Sequence, residues 1–75
     1  MTLITVEVSE NGQRVEIILD NEGVDELIEF VSSARVDGDA HLRAPSWAGT
    51  ELQEDHASLE GDVTLAKDLT IRVFV

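Results

Sequence analysis

Two stretches near the start of the chain, 2–8 and 14–19, alternate between apolar and other residues, which is the pattern of half-buried β-strands. Between them stands Asn11-Gly12, which favours a type I′ turn because that turn needs a positive φ at both central positions. A two-residue loop at this point pairs each inward apolar residue with an apolar partner: Ile4 with Leu19, Val6 with Ile17, and Val8 with Val15. A slip of one residue would destroy this match, so the pattern predicts a hairpin in this register.

The same register places two acidic residues opposite each other on the other face of the hairpin, Glu7 and Glu16. Like charges that are directly opposed in a sheet are unfavourable, although Arg14, diagonal to Glu7, can relieve part of the repulsion. We expect this face to be exposed and solvated. The alternative is that the face is acidic because it meets a basic partner.

An amphipathic helix is predicted after the hairpin. Asp20 or Asn21 can cap its N-terminus, and Gly38 suits a left-handed C-cap. Apolar residues recur at helical spacing in between, at Val24, Leu27, Ile28 and Val31. We expect this stripe to cover the inward face of the sheet.

The rest of the chain predicts further strands. The segment Ala40–Ala44 reads as a short strand with Leu42 inward and His41 and Arg43 outward, and the segment Leu69–Val75 alternates as a strand. Residues 50–52 can form another short extended piece, and 63–66 can form either an extra strand or a short turn of helix. The segment 53–62 is polar and predicts a loop. The expected fold of this single domain, residues 1–75, is α+β in the order ββαβ(β)β, with one helix packed on one face of a mainly antiparallel sheet of four to five strands.

Charge narrows the classes of partner. Sixteen Asp and Glu against five Lys and Arg give a net charge of −11, which repels nucleic-acid phosphates and anionic membrane surfaces, so we expect neither partner. The absence of Cys excludes disulfides and thiolate sites. No apolar run approaches the roughly 20 residues that span a bilayer. The first residues also lack the basic segment of a signal peptide, so we expect a cytoplasmic protein.

Candidate catalytic groups are few. His41 and His56 are the side chains that titrate near neutral pH without perturbation. The segment 37–41 alternates two aspartates with His41, but the pattern of a calcium loop is absent. No nucleophile-elbow pattern surrounds Ser46 or Ser58. We therefore expect no enzymatic activity, no cofactor and no metal site; a small enzyme or metal protein that uses a histidine is the weaker alternative.

Trp47 is the single tryptophan, and it lies between Pro45-Ser46 and Ala48-Gly49. The favoured interpretation is a core side chain that seals the open edge of the fold, with its indole N–H bound to a carbonyl. The alternative is an anchor for a partner, because Trp is enriched among interface hot spots.

The segment His41–Leu52, HLRAPSWAGTEL, resembles the central motif of the immunity protein 32 family: a hydrophobic strand, Pro-Ser-Trp-small-Gly, a polar residue and Glu-Leu. The resemblance implies an α+β fold and a role as an antidote in bacterial polymorphic toxin loci. Such a protein binds a cognate toxin domain inside the producing cell and blocks it. The positions that carry over, either for folding or for toxin binding, are Pro45, Ser46, Trp47, Gly49 and Glu51.

An acidic surface agrees with that role. Nuclease toxins carry basic clefts, and complementary fields steer an acidic inhibitor to them. The candidate partner-binding residues are Trp47, Glu51, Glu7, Glu16, Glu54 and Asp55. The competing interpretation is a small interaction module or homodimer that uses the face of Leu3, Ile18 and Phe74, so we expect a monomer or a weak homodimer.

Overall fold

A computed structural model describes residues 2–53 and 63–74. The elements in these ranges are, in order, β1 (Ile4–Ser9), β2 (Val15–Leu19), α1 (Asn21–Asp37), β3 (Asp39–Arg43), a 3₁₀ turn (Pro45–Trp47), β4 (Val63–Leu65) and β5 (Asp68–Arg72). The described part of the protein is therefore α+β, with one α-helix and small antiparallel sheets. Within it, no helix is both long and apolar enough to span a membrane. Most of the predicted loop, 54–62, lies outside the described residues.

The described strands divide into two sheets, where the sequence predicted one. The first has the order β2-β1-β4, and the second consists of β3 and β5. The chain passes between them at Ala66 and Lys67. The Ala66 N–H donates to the Val6 carbonyl at 2.7 Å, whereas the Lys67 carbonyl accepts from the Ala44 N–H at 2.9 Å. Because consecutive residues bond to different sheets, the chain turns a corner here, which is how a strand switches between packed sheets.

The predicted register of the hairpin is confirmed, with Ile4 opposite Leu19, Val6 opposite Ile17 and Val8 opposite Val15. Its inward face, however, is only partly covered: Val15 and Ile17 are 58% and 44% exposed. On the other face, Glu7 is 2% exposed, so the expectation of a solvated face is wrong at this residue. The reason is position in the sheet, because β1 is flanked by β2 and β4, whereas β2 lies at the edge.

The turn of the hairpin differs from the type I′ prediction. Gly12 has a φ of 72°, but among the described non-glycine residues only Ala48 has a positive φ, so Asn11 is not left-handed. The Gly12 N–H donates to the Ser9 carbonyl at 2.8 Å. The Asn11 Oδ1 accepts from the Ser9 Oγ at 2.7 Å and from the Gln13 N–H at 3.0 Å. These side-chain hydrogen bonds stabilise a longer loop than the two residues predicted.

Both predicted caps of the helix are confirmed. The Asp20 Oδ1 accepts from the Gly23 N–H at 2.7 Å, which satisfies a backbone donor of the first turn. At the other end, Gly38 has a φ of 95° and its N–H donates to the Ala34 carbonyl at 2.8 Å.

The buried face of α1 shares only Leu27 with the predicted stripe. Gly23 and Ala34 are buried, and Leu27 and Phe30 pack against the core. The predicted core positions that are instead exposed are Val24, Ile28 and Val31, at 41%, 58% and 45%. A β-carbon on Gly23 would lie within 3.0 Å of the Leu3 carbonyl oxygen, so the helix approaches the chain before β1 through a residue that has no side chain.

The core lies where the two sheets and the helix meet. Its buried apolar residues are Ile4, Val6, Leu42, Ala44 and Leu52. As predicted for β3, Leu42 points inward while His41 and Arg43 are exposed. The last strand ends at Arg72, earlier than predicted, and Phe74 beyond it is 89% exposed.

Candidate protein-binding site

The turn that follows β3, residues 44–52, contains the segment singled out by the sequence and is called the Trp turn below. Pro45 begins its 3₁₀ helix, where the missing N–H of proline is not needed. The Ala44 carbonyl accepts from the Trp47 N–H at 2.9 Å and from the Gly49 N–H at 3.1 Å. Ala48 adopts a left-handed conformation, with φ 64°, and its N–H donates to the Pro45 carbonyl at 3.0 Å. These hydrogen bonds hold the backbone on both sides of Trp47 in a tight turn.

The end of the Trp turn is fastened to the end of β3. The Arg43 carbonyl accepts from the N–H groups of both Glu51 and Leu52, each at 3.2 Å. Gly49 lies against Arg43, and a β-carbon on Gly49 would come within 3.0 Å of the Arg43 carbonyl oxygen. Leu52 then enters the core, with 1% of its surface exposed. Gly49 and Leu52 therefore act in folding.

Glu51 also serves the turn itself. Its Oε2 accepts from the Thr50 N–H at 2.8 Å and from the Arg43 N–H at 3.4 Å. The hydrogen bond from Thr50 is the main reason that the pKa of this carboxyl lies below its usual value of 4.5, and the guanidinium of Arg43 lowers it further. A carboxylate held in this way stabilises the backbone of the turn and has fewer free lone pairs for a partner.

Trp47 is not a core side chain: 54% of its surface is exposed. The prediction that it seals the edge of the fold is wrong, because Ala44 and Leu52 occupy the core on either side of the turn and both are fully buried. Its neighbours Pro45, Ser46 and Ala48 are exposed as well. The Trp turn therefore presents a large aromatic ring on a hydrogen-bonded backbone.

Among the candidate acids that the structure describes, Glu51 lies in the Trp turn, whereas Glu7 and Glu16 lie in the hairpin. Glu7 and Glu16 face each other in the hairpin, where Glu7 is buried and Glu16 is held at 3.3 Å by Arg14. Of the six predicted partner-binding residues, Trp47 and Glu51 share the Trp turn. Glu54 and Asp55 lie outside the described residues.

His41 lies on β3 in the described part of the chain, and its ring contacts two polar side chains. His41 Nδ1 lies 3.0 Å from Thr70 Oγ1, and its Nε2 lies 3.6 Å from Asp39 Oδ2. Among residues 2–53 and 63–74, no group of three or more His, Asp or Glu side chains is placed to hold a metal ion. His56 lies outside these ranges.

One apolar surface was missed by the sequence analysis. The exposed helix residues and the end of β2 form an open groove of about 250 Å³, lined by Leu19, Val24, Leu27, Ile28, Val31 and Ser32. The sequence contains a second set of positions at helical spacing: Gly23, Leu27, Phe30 and Ala34. Its small residues allow close packing, and this set could have indicated that the other stripe stays exposed.

An exposed indole supplies apolar contact area together with one hydrogen-bond donor, a combination suited to recognition of another protein.

Comparison of the chain with protein-family models, with curated proteins and with solved structures finds no match.

Proposed function

We propose that this chain is an immunity protein that binds a cognate bacterial toxin domain inside the producing cell and neutralises it, with Trp47 as the central contact. The observation that carries the proposal is the exposure of Trp47, 54% of its surface, on a turn whose backbone is held by hydrogen bonds. The segment's resemblance to the immunity protein 32 family supports the choice of partner.

Presentation of Trp47 favours binding for an energetic reason. The hydrogen bonds fix the backbone that carries Trp47, so mainly the two side-chain torsions of the indole lose freedom when a partner covers it. Residues of this type supply a disproportionate share of the binding energy in protein interfaces. Burial of the remaining ring surface would also remove apolar area from water, at about 25 cal/mol per Å².

Charge supports a basic partner at long range. The net charge is −11, and acidic side chains are exposed along the helix and the hairpin turn, at Glu10, Glu22, Asp25, Glu29 and Asp37. A negative field of this kind raises the association rate with a basic surface and weakens as salt is added. Because Glu7 is buried and Glu51 bonds to backbone, the close acidic contacts would come from other carboxylates.

The proposal is tested by co-expression with the toxin-like domain encoded next to this gene. We expect the wild-type chain to restore growth of cells that express the toxin. The purified pair should associate more slowly as sodium chloride is raised, since screening removes the long-range attraction. Failure of the chain to protect against any neighbouring toxin-like domain would contradict the proposed function.

A matched pair of variants tests whether the toxin is bound by the Trp turn in particular or by any exposed aromatic side chain. Trp47→Ala and Phe74→Ala each remove one exposed aromatic ring, at 54% and 89% exposure. Only Trp47→Ala should abolish protection. Equal protection by both variants would show that the toxin is bound elsewhere.

A further inference from the structure

The outer edge of β2 has no neighbouring strand among the described residues, because the sheet order is β2-β1-β4. Two hydrogen bonds show which backbone groups face that edge. The Ser9 N–H donates to the Arg14 carbonyl at 2.9 Å, and the Asp20 N–H donates to the Leu3 carbonyl at 3.3 Å. The backbone N–H and C=O groups of every second residue from Arg14 to Asp20 therefore face β1. In an antiparallel ladder the residues between them point away. The N–H and C=O groups of Val15, Ile17 and Leu19 therefore face the open edge.

The side chains beside this edge are apolar and exposed. Val15 is 58% and Ile17 is 44% exposed, and they lie on the same face of β2 as Leu19, which lines the apolar groove. An open strand edge that carries apolar side chains is a template for pairing with another strand. The surface thus offers backbone hydrogen bonds and apolar contacts together.

We propose that two copies of this chain associate through β2, in an antiparallel pair whose two-fold axis passes beside Ile17. Ile17 then lies opposite Ile17 of the second copy, and Val15 lies opposite its Leu19. These are the residues whose backbone groups face the edge, so each such pair exchanges two hydrogen bonds. The two three-stranded sheets become one continuous sheet.

Charge selects this register and favours a second copy as the occupant. Arg14 comes to lie opposite Asp20 of the second copy, which places a cation against an anion at both ends of the joined strands. A two-fold axis beside Glu16 would instead oppose two copies of that residue. An axis beside Ile18 would place Glu16 opposite Asp20. Both of these registers oppose like charges, which destabilises a sheet.

The two-fold axis of this dimer also relates the apolar grooves of the two copies. Each groove lies between β2 and the exposed side of α1, so the two grooves meet above the joined strands. Val24, Ile28 and Val31, exposed by 41–58% in the single chain, then face the equivalent helix of the second copy. This arrangement covers the part of the inward sheet face that α1 leaves open. It is distinct from a homodimer that uses Leu3, Ile18 and Phe74, because those residues need not be covered.

Disulfide trapping tests the register directly. The chain has no Cys, so Ile17→Cys introduces a single thiol. Hydrogen-bonded partners in an antiparallel pair have Cα atoms about 5.5 Å apart, a separation that a disulfide can bridge. The control is Phe74→Cys, whose site is 89% exposed and follows β5, a strand of the other sheet. Under mild oxidation we expect the Ile17→Cys chain to become a covalent dimer several-fold faster than the control. Equal rates would overturn the proposal.

Sedimentation of the unmodified 75-residue chain provides the second measurement. Each copy carries a net charge of −11, so association should strengthen as salt is added, the reverse of the salt effect expected for a basic toxin. Ile17→Lys should weaken the dimer at least about tenfold, because it opposes two cations at the axis, whereas Phe74→Lys should leave it unchanged. A single-chain mass at millimolar concentration in high salt would contradict the proposal, as would a dimer that tolerates Ile17→Lys.

Discussion

Gly49 lies against the backbone of Arg43 so closely that a β-carbon at this position would come within 3.0 Å of the Arg43 carbonyl oxygen. That oxygen is fixed, because it accepts from the N–H groups of Glu51 and Leu52. We predict that Gly49→Ala lowers the free energy of unfolding by about 1–3 kcal/mol, the usual cost of overpacking. Urea denaturation measures this directly.

The neighbouring residue supplies the control. Ala48 has a φ of 64°, a conformation that costs an L-residue roughly 1–2 kcal/mol and glycine very little. Glycine also gives the unfolded chain more conformational entropy, which offsets part of this gain. Ala48→Gly should therefore be neutral or stabilise the fold by less than about 1 kcal/mol. Equal destabilisation by Ala48→Gly and Gly49→Ala would show that the turn lacks the described geometry.

Gly23→Ala tests the close approach of the helix to Leu3. In an exposed helix interior this change stabilises by about 1 kcal/mol, because glycine is a poor helix former. Here the added β-carbon would overlap the Leu3 carbonyl oxygen, so we predict a loss of stability instead. Ser33→Ala, at an exposed position of the same helix, should raise the melting temperature slightly. A stabilising Gly23→Ala would contradict the packing of α1 against the start of β1.

Two carboxyl groups, those of Asp20 and Glu51, make the stability of the fold depend on pH. Hydrogen bonds with the backbone of Leu3 and Gly23 lower the pKa of Asp20 below 3.8, and the Thr50 N–H lowers the pKa of Glu51 below 4.5. A carboxyl whose pKa is lower in the folded state stabilises the fold above its unfolded pKa, and that stability is lost as pH falls through the folded pKa. We therefore predict a falling melting temperature below about pH 5.

Glu51→Gln isolates one of these contributions. The variant should be less stable than wild type at neutral pH, because the charge that strengthens its hydrogen bonds is gone. The two melting temperatures should converge in acid, where Glu51 itself becomes neutral. A constant difference across the pH range would show that the effect of the substitution is not electrostatic.

One truncation in the core and one on the exposed side of α1 distinguish buried from surface positions. Leu52 is 1% exposed, and Leu52→Ala should cost about 2–5 kcal/mol. Ile28 is 58% exposed, so in dilute solution Ile28→Ala should cost less than about 1 kcal/mol. Similar losses for the two variants would mean that the predicted stripe, and not the face of Gly23 and Ala34, packs on the core.

The predictable parts of the fold depended on local chemistry. The hairpin register follows from period-two alternation, because a slip would exchange its two faces, and the helix ends follow from Asp20 and Gly38. The buried helix face did not follow, because its contacts depend on the smallness of Gly23 and Ala34, and a search for large apolar residues selects Val24 and Ile28 instead.

The features that the sequence did not predict depend on distant contacts. The division into two sheets is set by hydrogen bonds from Ala66 to Val6 and from Ala44 to Lys67, which no local pattern encodes. The sequence predicts a core position for Trp47, but Ala44 and Leu52 are the core residues of this turn, and Leu52 lies five positions farther along the chain. The exposure of Trp47 depends on how the turn packs, which the local pattern does not encode.

The affinity of Trp47→Ala for the neighbouring toxin-like domain tests the central claim most directly. The variant should keep the unfolding curve of the wild type, because more than half of the side chain is already exposed. Its dissociation constant, measured by calorimetry, should rise at least about 30-fold, the effect of losing a hot spot worth about 2 kcal/mol, while Phe74→Ala binds as the wild type does. An unchanged dissociation constant for a correctly folded Trp47→Ala variant would contradict the account.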